Sequence, residues 1–71
     1  MSQEKRILVY LSENLGITSA EAYQKLGIMR LSARILELKE QGYPIVGVFE
    51  ESYNRFGDKV RYKRYYLRNA S

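Results

Sequence analysis

The sequence predicts an α+β domain in which three short helices precede a two-stranded antiparallel β-hairpin. Three observations predict it. Up to about residue 41 the apolar residues recur at helical spacing, in runs that each end at a glycine. Thr18-Ser19-Ala20-Glu21 has the pattern of a capping box. Beyond Gly42 the residues turn β-branched and aromatic, and a cluster of turn formers splits that stretch in two.

The first helix is expected over about residues 2–15, with Ile7, Leu8, Leu11 and Leu15 on one side. Ser2 can cap its start, and Gly16 supplies the left-handed residue past its end. Ile17 stands alone as a stub of strand. The second helix spans about 19–26, with Ala22, Tyr23 and Leu26 facing inward, and Gly27 stops it. A third helix follows over about 29–41, with Leu31, Ile35 and Leu38 on its buried stripe and Ile28 leading into the same side. Two short helices joined by a tight glycine turn read as a helix-turn-helix.

The first strand is expected over about 43–51, with Pro44 at its start, where a missing N–H is tolerated. Asn54, Gly57 and Asp58 supply a hairpin loop, and the return strand covers about 59–67. A hairpin after three helices is the wing of a winged helix-turn-helix, here a single domain over 1–71.

Composition narrows the chemistry. The 71 residues include no His, no Cys and no Trp, so no histidine base, Ser–His or Cys–His pair, disulfide or ordinary zinc ligand set can form. Glu50 and Glu51 are neighbours in a strand and point to opposite faces, so they cannot act as a carboxylate pair. The glycines are scattered and form no phosphate loop. The expectation is a non-enzymatic protein with no cofactor, no metal and no small-molecule substrate. The first apolar run is too short and polar for a signal peptide or membrane span, and the expected setting is the cytoplasm of a bacterial host cell.

The net charge of +4 comes from 12 bases against 8 acids. Residues 1–58 hold seven bases and eight acids, a net of −1, whereas residues 59–68 hold five bases and no acid. Those five bases alternate with Tyr62, Tyr65 and Tyr66. Such a stripe has two readings, a nucleic-acid footprint or a solvated edge strand whose cations deter aggregation. The tyrosines fit packing better than base stacking.

The stretches ITSAEAYQKLGIMRLSARILELKEQGYPI and NRFGDKVRYKRYYL resemble the small helix-turn-helix domains common in phages and prophages. That family shows a leucine-glycine-isoleucine turn, a serine-alanine-arginine-isoleucine run, a glycine-tyrosine and a tyrosine-rich return strand. The resemblance spans roughly residues 5–68 and implies a winged-helix fold with DNA as partner. Two positions depart from the pattern. Tyr23 stands where many helix-turn-helix units have alanine, which is expected to splay the two helices. Met29 stands where members often carry a capping threonine, a loss of about 1 kcal/mol, so the start of the third helix must fray or be held by another group.

On that helix Met29, Arg30, Ser32, Ala33 and Arg34 form a small or basic leading half, while Glu37 and Glu40 lie at the far end. That polarity suits a recognition helix whose first turns enter the major groove. Arg30 and Arg34, four residues apart, could each pair with guanine, worth roughly 1–3 kcal/mol of discrimination. The plainer reading pairs Arg34 with Glu37 in the helix and leaves Arg30 solvated. On the wing, Arg55, Lys59, Arg61, Lys63 and Arg64 are the candidate contacts to phosphates or the minor groove. Leu36 either packs under the wing or is an exposed contact, and Phe56 either folds back on the wing or meets a partner.

The leading expectation is therefore a small double-stranded DNA-binding protein of phage or mobile-element type. It would act as a transcriptional regulator or as an architectural factor in recombination, with dimers or tandem sites supplying specificity. The alternative is an interaction module that binds and modulates a host protein through Met29, Leu36 and Phe56. Single-stranded nucleic acid or RNA ranks third, because it needs exposed aromatic platforms.

Overall fold

The computed structural model describes residues 2–68. Its elements are α1 (Gln3–Glu13), α2 (Ser19–Leu26), α3 (Leu31–Glu40), β1 (Ile45–Tyr53) and β2 (Lys59–Leu67). The two strands form one antiparallel hairpin in which Ile45 faces Leu67 and Tyr53 faces Lys59.

Ser2 caps α1, its hydroxyl accepting from the Lys5 N–H at 3.1 Å. The helix stops at Glu13, earlier than the apolar spacing suggested. Ser12 Oγ donates to the Val9 carbonyl and Asn14 Nδ2 to the Tyr10 carbonyl, so polar side chains bond the last turn and Asn14 leaves it extended. Leu15 accordingly lies outside the helix and is exposed rather than buried. Gly16 serves a different end from helix termination. With φ of +125° it lets the chain pass so close to β2 that a Cβ would sit 2.9 Å from the Tyr66 ring. Ile17 then pairs with Tyr65 through two backbone hydrogen bonds of 2.9 Å. This one-residue strand staples the helical layer to the hairpin.

The capping box of α2 is complete. Thr18 Oγ1 accepts from the Glu21 N–H at 3.2 Å, and the Glu21 carboxylate accepts from the Thr18 N–H at 3.0 Å. Gly27 ends the helix in the left-handed region at φ +70°, and its N–H bonds back to Tyr23. Tyr23 is mostly exposed, so no ring has to fit between α2 and α3, and the expected splaying has no cause. Ala22 alone of this helix is fully buried, and Leu26 packs partly against the core.

The third helix begins at Leu31, which leaves Met29 and Arg30 outside it. Arg30 occupies the N-cap position with no side-chain cap bond. Ile28 and Leu31 are each 1% exposed on either side of this uncapped start, so burial holds it where a threonine hydroxyl would have. The core joins Ile7 and Leu11 of α1, Ile17, Ala22, Ile28, the α3 stripe Leu31-Ile35-Leu38, and Ile45 and Tyr65 at the foot of the hairpin. The first strand starts two residues later than expected and runs on to Tyr53. From Glu51 to Arg61 every residue is exposed, so the outer hairpin projects from the body, and the molecule measures 39 × 27 × 21 Å.

Candidate nucleic-acid interface

The structure sorts the candidate cations into two groups. Arg64 and Arg34 are tied to acids at the body. Arg64 reaches two carboxylates at once, Nη1 to Glu21 Oε1 and Nε to Glu50 Oε1, each at 3.0 Å. Its side chain is 23% exposed, and the two acids hold its guanidinium firmly charged. Because Glu21 is also the acid of the capping box, this one arginine locks the α2 start to both strands of the hairpin. Tyr66 Oη donates to the other Glu50 oxygen at 3.2 Å, and Arg64 and Tyr66 together pull the Glu50 carboxyl below the usual range. Arg64 thus positions the wing rather than presenting a free charge.

Arg34 Nη2 pairs with Glu37 Oε1 at 2.6 Å, and its Nε is buried with no hydrogen-bond partner among the described residues. This arginine lies against α1, where Glu4 meets both Glu37 and Gln41. The neighbouring carboxyls shift one another in opposite senses, Glu37 upward and Glu4, which also accepts from Gln41, downward. Arg34 therefore does not join Arg30 as a second outward reader. The outward face of α3 carries Ser32, Leu36, Lys39 and Glu40, with Ala33 half-buried. Arg30 and the 79% exposed Met29 lie just ahead of it. Leu36 is 58% exposed and does not pack under the wing.

The second group lies on one face of the hairpin. The register places Gly47, Phe49, Glu51 and Tyr53 of β1 opposite Tyr65, Lys63, Arg61 and Lys59 of β2, all on the same side. The Arg61 guanidinium stacks 4.2 Å from the centre of the Phe49 ring, on the diagonal. Lys63 Nζ lies 5.2 Å from the same ring and 5.7 Å from Tyr65. Such contacts contribute about 0.5–1 kcal/mol at exposed sites and leave the N–H groups at the ring edge free to donate. Lys59 pairs with Glu51 at 3.0 Å, both more than half exposed, a contact of little strength in water. Among the described residues Arg30, Arg55, Arg61 and Lys63 have no acid partner.

A shallow groove runs between the start of α2 (Thr18, Ser19, Ala20) and the β2 residues Arg61 to Arg64. The α2 terminus there lies beside Arg61 and Lys63, with the Thr18 and Glu21 N–H groups taken by the capping box and the Glu21 carboxylate also lining the groove. Phe49 as a stacking platform and the Ser19-Ala20 terminus were not singled out from the sequence. The capping box marked the terminus, and the hairpin register would have paired Phe49 with Lys63 had the first strand been extended to Tyr53. The tyrosines are largely structural: Tyr65 is buried, Tyr66 bonds Glu50, and Tyr62 is half-buried.

Three helices, a tight turn before the third, and an antiparallel hairpin define a winged helix-turn-helix. The family model described as a winged helix-turn-helix domain matches residues 2–70, and the chain belongs to that family. DNA binding is the activity this class of domain suggests. No curated protein and no solved structure matches the chain. Among the described residues no helix is long and apolar enough to cross a membrane, and no group of acidic residues could hold a metal ion.

Proposed function

We propose that this is a small non-enzymatic protein of phage or mobile-element type that binds double-stranded DNA in a bacterial host cell. It serves as a transcriptional regulator or as an architectural factor in recombination. The leading end of α3, with Arg30, Ser32 and Ala33, enters the major groove, and the hairpin cations Arg55, Lys59, Arg61 and Lys63 lie along phosphates or the minor groove. One observation carries the reading: of the candidate contact cations, Arg30, Arg55, Arg61 and Lys63 on the wing and at the α3 start make no ion pair among the described residues, while Arg34 and Arg64 are paired. One copy would bury a modest surface, about 600–1,000 Å² for a single module, so dimers or tandem sites supply selectivity.

The test separates the two α3 arginines. Arg30→Ala is expected to weaken duplex binding by about 1–3 kcal/mol, read by fluorescence anisotropy. Arg34→Ala is expected to bind within a few-fold of wild type, because its charge is spent on Glu37. Equal losses from both variants, or no loss from Arg30→Ala, would remove α3 from the interface as drawn. A second reading has its own support. Met29 and Leu36 are exposed apolar residues on and just ahead of α3, suited to a host protein. Recovery of a stable protein partner, with no duplex binding at low salt, would favour it.

A further inference from the structure

The wing tip carries an aromatic residue that neither the fold nor the phosphate contacts employ. Phe56 is 80% exposed, at the end of a hairpin whose last residues touch no part of the body. Its loop is nonetheless well ordered by its own bonds. Asn54 Oδ1 accepts from the Phe56 N–H at 2.9 Å and from the Asp58 N–H at 3.0 Å. The Gly57 N–H bonds the Asn54 carbonyl at 3.0 Å, and the Asn54 N–H bonds the Asp58 carbonyl at 2.9 Å. These bonds fix the backbone of the turn, and on it the Phe56 ring stands exposed to solvent.

We propose that Phe56 is a wedge that enters a base step from the minor groove and kinks the duplex. This deepens the DNA-binding reading and rests on it. Proteins that bend DNA insert an apolar side chain between base pairs, unstack the step and open the minor groove toward the protein. Such a wedge needs a projecting apolar ring, a support that does not yield, and cations nearby to hold the phosphates on either side. Phe56 supplies the first and the Asn54-centred turn the second. Arg55 beside it and Arg61 farther down the hairpin, neither in an ion pair among the described residues, supply the third, while Lys59 is held by Glu51 and Asp58 lies in the loop. These two arginines beside the ring and farther down the hairpin favour a polyanion over an apolar protein groove as the occupant. Among the two roles left open above, a kinking wing favours the architectural one.

The experiment uses the full chain and a duplex of about 30 base pairs, taken from a random-library selection, with donor and acceptor dyes at its ends. Wild type is expected to raise energy transfer on binding. In the same duplex, 2-aminopurine placed at successive steps is expected to brighten at one step as its stacking is lost. Phe56→Ala is expected to bind within about tenfold of wild type but to leave both signals near those of free DNA, and Phe56→Trp to restore them. Because Phe56 is 80% exposed and outside the core, the thermal midpoint of the variant should stay close to wild type. A bound wild-type complex with unbent DNA, or a Phe56→Ala complex bent as fully as wild type, overturns the wedge while leaving duplex binding intact. Failure of the selection to yield any bound duplex overturns both.

Discussion

Three arginines of this chain show how little residue type says about role. Arg30, Arg34 and Arg64 all lie in segments that invite DNA, yet one is unpaired, one pairs within its own helix and one clamps the wing. The sequence displays the charges but not their partners, because Glu21 and Glu50 reach Arg64 across 43 and 14 residues of chain. Only the Arg34–Glu37 pair, three residues apart on one helix, was readable beforehand. The clamp carries a pH signature. The folded pKa of Glu50 is depressed, mainly by Arg64, so its contribution is fully present above the unfolded value and is lost as pH falls through the folded one. Glu37 works in the opposite sense, since its raised pKa favours the fold at low pH and that contribution fades as pH rises through it. Glu50→Gln is expected to lower stability at neutral pH and to flatten the acid limb between about pH 5 and 3. Urea midpoints at neutral and acid pH would check this; an acid limb unchanged in the variant would show that the clamp does not govern it.

At the scale of elements, local signals were the most legible. The Ser2 cap, the capping box at Thr18 and the glycine stop at Gly27 each depend on residues a few positions apart, and each stands as the sequence implied. The apolar spacing misleads where other interactions overrule it. Leu15 fits the helical spacing but lies beyond a helix that polar side chains had already ended. Tyr23 has an inward-facing position by periodicity, yet it is 59% exposed, and Ala22 is the α2 residue that is fully buried. Ile17 proved more important than a stub between helices suggests. Its side chain is completely buried and its backbone pairs with Tyr65, so it joins the helices to the hairpin. Ile17→Ala is expected to cost about 2–5 kcal/mol, a large share of the stability of so small a domain. Equilibrium urea unfolding measures it, and a cost below about 1 kcal/mol would mean that the junction tolerates a cavity and is not a keystone.

Over the whole molecule, charge and shape divide together. The nearly neutral helical body holds most of the buried core, while the hairpin carries the surplus of positive charge, part of it on aromatic supports. The sequence located that surplus in one segment because charge counts need no three-dimensional information. It did not reveal which face the cations share, since that depends on a register set by where the strands begin. The central claim is that this hairpin and the start of α3 form a phosphate-binding surface. The most direct measurement is the salt dependence of duplex affinity, compared between wild type and a variant with Arg55, Arg61 and Lys63 changed to glutamine. Wild type should show log K falling against log salt with a slope of about −3 to −5, and the variant a slope shallower by about 2 to 3. An identical slope in both proteins, or no binding by wild type at low salt, would contradict the account.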